Sequence, residues 1–390
     1  TAPDPNRAGQ FVRTAFAGNR IPQARMDPVA RKVQEFFGAQ PNVPGLPFTG
    51  QNNFVFQGTA RGTVDRATAK VDHQFTENQR MFVRYTIFNN QSAQPVFWDN
   101  PGCPDGGCFT NAERQQHAAL DYSNTISPTT LLSLRWGFAR SILNRQSNYM
   151  GFRPSGLGLP ANVEQGADLL VFPQFGVEEM TMPGLAQHWN FRSANMSHTF
   201  VGTLSKVRGS HSLKGGTEIR VNLINHMQAP WQLAFNFNRG MTAGPDARVV
   251  NATSGFGYAS FLMGTGSGGQ VVNGIRPALE SKSFGYYLQD DWKVNRKLTI
   301  NLGVRWDYET GVTERYDRFS VFDPNARSPL SEKVGFAVRG GYLFPNSTLG
   351  RRGLRETEWR KIAPRLGIAY QLTPKTVIRR FDVLSELYGD

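Results

Sequence analysis

No apolar run of about eighteen residues occurs in the sequence, and its absence excludes a membrane-spanning helix. Cysteine is scarce, with two residues among 390. Two thiols cannot complete a four-ligand zinc site alone, and no histidine lies within a few residues of them. The six histidines, His73, His117, His188, His198, His211 and His226, are dispersed and form no HxxxH or HExxH pair. Only His188 and His198 fall in one loop-to-strand region. The glycine run 264–269 lacks the Gly-Lys-Ser/Thr ending of a phosphate loop and is expected to be a flexible outer loop. Asp290 and Asp291 sit on a predicted strand, where neighbours point to opposite faces, so they cannot share a catalytic site. They are expected to cap the turn end of a hairpin and pair with Lys293 or Arg296. No constellation for covalent chemistry, metal or cofactor emerges, and the chain reads as a non-enzyme.

What is present is glycine, at 40 residues, phenylalanine, at 28, and a formal charge of +13. The first two suit a turn-rich β protein with aromatic anchoring. The basic residues are scattered rather than clustered, which argues against a nucleic-acid partner. A lumen and loop surface facing anionic headgroups or solutes accounts for them.

The main signal is strict alternation in paired segments. Leu298, Ile300, Leu302, Val304, Trp306 and Tyr308 point one way; Thr299, Asn301, Gly303, Arg305, Asp307 and Glu309 point the other. A period of two with one apolar face is a half-buried strand. Before it, Phe284, Tyr286, Leu288, Trp292 and Val294 share a face interrupted by Asp290, and the turn Asn295–Lys297 predicts a hairpin. The unit recurs around the turns Thr76–Gln79, Ser127–Thr130, Arg208–His211 and Thr373–Lys375.

Between hairpins lie long segments: Asn89 to Arg114, Arg145 to Asn195, Gln228 to Leu279, and Thr310 to Ile362. Structureless loops this long are uncommon in compact soluble domains. Short turns at one end and long loops at the other are the asymmetry of transmembrane β-barrels. The polar faces carry charges of both signs, including Lys70, Asp72, Arg84, Arg135, Lys214, Glu218, Arg220 and Arg305. Facing a dry core they would be costly; facing a wet lumen they cost little. Tryptophan and tyrosine at the ends of the apolar face suit an interfacial girdle. The expected fold is all-β, a partial transmembrane antiparallel barrel with short periplasmic turns and long extracellular loops.

The stretch from Phe284 through Tyr286, Gln289, Asp290, Asp291 and Trp292 to Val294, followed by Lys297 to Glu309 with Leu298, Asn301, Gly303 and Arg305, resembles the "YxQDDW…LTLNLGLRYE" hairpin of TonB-dependent receptors. The Oar-like group, whose N-terminal module resembles a carboxypeptidase regulatory domain, is most similar. Gly18–Pro22 with Met26–Ala30 resembles its "GNxIPxxRIDPVA" segment, Arg208–Lys214 its "RGxHxLKxG" turn, and Ile362–Tyr370 its "APRLGFAY" strand. The resemblance spans nearly the whole chain, in order. It implies a barrel of about twenty-two strands, of which residues 1–390 would be a fragment without the plug domain, the regulatory-like module and the segment that contacts TonB. Val377–Asp382 departs from the family's "VIRGGYGxFY", and Val383–Asp390 loses the alternation.

By the same resemblance, the function is uptake of a scarce solute, such as a siderophore or an oligosaccharide, across the bacterial outer membrane. The partners implied are outer-membrane lipid, the TonB complex and a small-molecule or oligosaccharide ligand. A passive porin and a secreted β-rich adhesin or carbohydrate-binding module are the alternatives. Among the loops, Phe97, Trp98, Trp189, Phe191 and Trp231 offer stacking faces for a ligand. Cys103 and Cys108, separated by Pro-Asp-Gly-Gly, suit a small disulfide stapling a loop. Asp27 is placed to cap a short loop helix with Pro28 at its first position and Val29, Val33, Phe36 and Phe37 as its apolar stripe.

Overall fold

In the computed structural model Asn295 turns the chain back on itself. Its side-chain Oδ1 accepts the N–H groups of Lys297 (2.9 Å) and Leu298 (3.0 Å). Similar local bonds close three other turns: Thr76 Oγ1 accepts from Asn78 N, Ser127 Oγ from Thr129 N, and Thr373 Oγ1 from Lys375 N. Such side chains mimic a backbone turn. At the remaining turn Gly209 takes φ +58°, a conformation open to glycine without steric cost. The structure describes residues 2–383 apart from 48–49, 105, 166, 168, 186–189, 229–232, 247–248, 250–253 and 273–275.

These turns join β1 (Arg61–Thr76) to β2 (Gln79–Ala93), β3 (Phe109–Ser127) to β4 (Thr130–Ser147), β5 (Phe191–Arg208) to β6 (His211–Gln228), β7 (Ala278–Lys293) to β8 (Leu298–Glu309), and β9 (Glu358–Thr373) to β10 (Thr376–Val383). The strands pair antiparallel in chain order from β1 to β10, with the two-residue strand Thr313–Glu314 added to β7. Among the described residues the ladder runs open from first strand to last. At 12 to 19 residues, β2 to β9 exceed the usual strand of about 5–6 residues and the roughly 9–11 that cross a bilayer.

The strands extend several residues past their alternating parts, so the connections are shorter than expected. They run 94–108, 148–190, 229–277 and 310–357. The β7 strand shows why. Above Phe284 it continues through Glu280, Ser281 and Lys282, which are polar on both faces yet remain in register with Val221, Asn222 and Leu223. Backbone pairing needs no apolar period once the strand leaves the zone that demands it.

Register sorts the side chains into two faces. In one row Trp306 pairs with Tyr286 and Ile362, and in the next Val304 pairs with Leu288 and Pro364. Further along the same face lie Phe200, opposite Trp136 and Ile219, and Val83, opposite Val71 and Leu120. These side chains are not covered by protein: Leu288 is 57% exposed and Val304 43%. Tyr286 stacks on Trp306 at 5.6 Å, and Trp306 meets Tyr308 edge-on near the loop end. Near the turn end Trp292 stacks on His211 at 5.4 Å. From Phe284 to Trp292 the strand advances about 26 Å, close to the height of a lipid-facing band.

The opposite face carries the charges in compensated groups. Arg305 contacts Asp307 at 2.8 Å and Glu218 at 4.0 Å, and Arg220 contacts Glu218 at 2.9 Å. Arg135 lies 3.7 Å from Asp121. Lys70 covers the Phe82 ring and Arg66 the Phe88 ring, which partly shields two aromatics placed on this face. Exposed apolar side chains on it, such as Leu131 and Ile224, sit near strand ends.

Two details of the expected hairpin differ. Asp290 and Asp291 do lie on opposite faces, but neither pairs with Lys293 or Arg296. Asp290 Oδ2 is 2.6 Å from His211 Nδ1 across the strand pair, and Asp291 accepts from Gln289 and Asn301. His211 reaches Asp290 diagonally from the neighbouring strand, Asn301 reaches Asp291 from the position directly opposite, and Gln289 reaches it from two residues along the same face. Val294, expected on β7, lies just past its end at Lys293.

Candidate functional site

The long connections all leave the same end of the sheet, and they are packed rather than structureless. Helix α1 (Pro28–Gln34) forms where Asp27 Oδ1 accepts the Val29 and Ala30 N–H groups at 2.8 and 3.1 Å. Its apolar side inserts into a cluster drawn from its own segment and two connections: Ala30, Val33, Leu157, Phe172, Phe175, Met182 and Phe261 are all buried there. The second helix, α2 (Gly257–Leu262), supplies Phe261. A small sheet of Gln174–Val177, Leu233–Phe237 and Gly268–Val271 supports both helices. The end of the glycine run 264–269 is therefore ordered, Gly268 and Gly269 pairing with Asn236 and Phe235, and is not a free loop. Missing side chains let its backbone lie against that strand: a Cβ on Gly269 would fall 2.5 Å from the Ala234 carbonyl oxygen.

Polar anchors fix this layer. Arg239 donates its backbone N–H (2.7 Å) and Nε (3.0 Å) to Glu178 and a third N–H to Glu179. The backbone N–H of Arg239 is the leading cause that holds the Glu178 carboxyl below its ordinary value, with the guanidinium adding to it. Arg13 donates to the carbonyls of Gly240 (2.6 Å) and Ala243 (2.8 Å). Glu314 is 1% exposed and accepts N–H groups from Ala278, Tyr316 and Arg318. Burial pushes its carboxyl up, and these donors more than reverse that, leaving it lowered. Tyr149 donates to Asp99; burial, then that bond, pushes the phenol up to about 12. Apart from the local bonds of Glu314 to Tyr316 and Arg318, these anchors join residues far apart in sequence, and no local period marks them.

The predicted ligand-contact aromatics separate. Trp98 is 3% exposed, and its Nε1–H donates to the Phe36 carbonyl at 2.6 Å. It packs with Cys103, Cys108 and Phe109 in a second buried cluster, so its ring is spent on packing rather than offered to a solute. Phe97 is half-buried between Phe54 and Phe56. Phe191 opens β5 on the charged face, opposite Arg145 and Gln228. Trp189, Trp231 and His188 lie outside the described residues. His198 sits in the apolar face, stacked with Trp136, Phe138 and Phe200. Cys103 and Cys108 are joined by a disulfide, Cα–Cα 5.8 Å, within the Trp98 cluster. The motif residues Tyr286, Gln289, Asp290, Asp291, Trp292, Leu298, Asn301, Gly303 and Arg305 occupy one hairpin, split between the two faces. Among the described residues no group of three His, Cys, Asp or Glu is arranged to hold a metal ion.

The site is thus a packed layer of loops at one end of a two-faced sheet. It can bind by stacking and by charge. The profile of a family described as "Outer membrane beta barrel domain" matches residues 1–380. No curated protein matches. Among solved structures, the alcaligin outer-membrane receptor FauA of Bordetella pertussis is similar at 8% identity and TM-score 0.42, covering 83% of this chain and 35% of its own. FpvA of P. aeruginosa, solved with pyoverdines, gives 10% and 0.40, covering 83% and 35%. The ferric-catecholate import receptor Fiu of E. coli K12 gives 10% and 0.40, covering 84% and 47%. The chain spans about a third of the length of the first two and about half of the third.

Proposed function

This chain belongs to the family of outer-membrane β-barrel domains, and from that premise we propose that it forms part of the wall and outer mouth of a TonB-dependent transporter. The bacterial outer membrane is where it resides. The apolar face meets hydrocarbon and the charged face lines a hydrated interior. The loop layer captures a scarce solute, and energy supplied through TonB drives its entry. The residues of this chain perform no covalent chemistry; they hold shape and charge. The Oar-like motifs in Phe284–Glu309 and Ile362–Tyr370 support placing it in that group.

The observation that carries the reading is the packing of the loop layer. A porin needs an open mouth, whereas here two connections, 148–190 and 229–277, and the segment 1–60 converge on a shared buried cluster with ion-paired anchors. A preorganised layer suits selective capture. The test is uptake by cells with and without the gene, for a panel of labelled iron chelates and oligosaccharides, with and without an uncoupler. Gene-dependent uptake abolished by the uncoupler supports the reading. Gene-dependent uptake indifferent to it means a passive pore.

A further inference from the structure

The connection from β8 to β9 folds into a hairpin of its own, Val321–Arg327 against Arg339–Leu343. The register places Arg327 directly opposite Arg339. Like charges in directly opposed positions repel and cost stability. Elsewhere in this connection Arg351 contacts Glu356, Arg352 contacts Asp317, and Arg355 contacts Glu309 and Glu358. Among the described residues, no carboxylate pairs with Arg327 or Arg339. Asp323 accepts the Asn325 N–H instead.

Arg327 and Arg339 line a cavity of about 550 Å³ together with Asn325, Ser331, Phe336 and Val338. One wall of it is braced by hydrogen bonds. Buried Ser331 both donates to the Val338 carbonyl and accepts the Val338 N–H, each at 3.0 Å, and Ser328 N donates to the same carbonyl. Phe336 stands 67% exposed at this cavity. Such an aromatic would stack on the planar or apolar body of a ligand.

We infer that this cavity is an oxyanion-binding site, taking a small solute that carries two or more carboxylate or phosphate groups. A guanidinium presents a planar fork that matches either group bidentately. One polyanion between the opposed forks would remove their repulsion and supply the missing counter-charge. The volume lies within the range of small-molecule pockets. The site deepens the transport reading by naming a solute class, and rests on that reading only for the uptake step after binding. The same oxyanion chemistry is presented by free solutes and by lipopolysaccharide phosphates.

The test is calorimetric titration of the detergent-solubilised chain, freed of lipopolysaccharide, with citrate and with pyrophosphate. The expected result is saturable binding that weakens as salt rises and falls at least tenfold in Arg327→Ala/Arg339→Ala. Arg327→Lys/Arg339→Lys should give an intermediate loss, since charge remains without the fork. Arg351→Ala, whose partner lies elsewhere on the same connection, controls for folding and should bind as the parent does. Competition by lipopolysaccharide vesicles identifies lipid phosphate as the occupant; none identifies a free solute. Absent saturable binding to both probes, or equal binding by the Ala/Ala variant, overturns the inference. Uptake that persists while binding fails leaves the transport reading standing, and binding without uptake does the reverse.

Discussion

Tyr287 lies across Gly216 and shares a hydrogen bond with Thr203, a strand further on, at 2.9 Å. The three residues stand in one row of the charged face. The ring covers the gap left by the missing side chain, which restores packing that a glycine forfeits in a strand. A Cβ at 216 would fall 2.5 Å from the Gly202 carbonyl oxygen and 2.7 Å from Tyr287 Oη. Gly216→Ala should therefore displace the ring and strain a neighbouring strand, costing about 1–3 kcal/mol. Tyr287→Phe keeps the ring and loses one bond, about 1 kcal/mol. Urea midpoints of the refolded protein, read by tryptophan fluorescence, should rank the parent first, then Tyr287→Phe, then Gly216→Ala.

Trp98 and Phe97 are neighbours with different roles. Trp98→Ala empties a buried site and removes the bond to Phe36; such truncations cost roughly 3–5 kcal/mol. The loss should appear as rapid cleavage within 94–108 by a protease of broad specificity. Phe97→Ala should leave cleavage unchanged. Equal sensitivity would mean that the Trp98 cluster does not hold this loop.

Glu314 makes the β8–β9 connection acid-sensitive. Its folded pKa is held below the ordinary 4.5. The stabilisation is thus fully present above about 4.5 and is lost as pH falls through the lower folded value. Hydrogen exchange at Tyr316 and Arg318 should quicken below that point in the parent. In Glu314→Gln the same amides should exchange faster already at pH 7, by the equivalent of about 1–3 kcal/mol, with little further response to acid.

The sheet was legible in the sequence where one face had to be apolar. Leu298–Glu309 alternates over its whole length, and the strand occupies those residues. The turns were legible from Asn295, Ser127 and Thr373, whose side chains close them locally. The helix at Pro28 was legible from its cap, its proline and Val29 and Val33, whereas Phe36 and Phe37, expected on the same stripe, lie past its end at Gln34. The loop layer was not. Phe172, Phe237 and Phe261 share a cluster across connections far apart in sequence, and nothing local marks which aromatic is buried. Trp98 looked like a ligand contact for that reason. Arg327 and Arg339 face each other only through a hairpin with a bulge between Asp323 and Arg327, which carries no alternation.

The most direct test of the two-faced sheet uses single cysteines at adjacent positions, Leu288 and Gln289, and again at Val304 and Arg305. The native pair, being oxidised, stays unlabelled. Each variant is labelled with a fluorophore and reconstituted into vesicles containing brominated lipid. The labels at 288 and 304 should be strongly quenched by the lipid, and those at 289 and 305 should respond to water-soluble quenchers instead. Equal quenching at both members of each pair would contradict a wall with hydrocarbon on one side and water on the other.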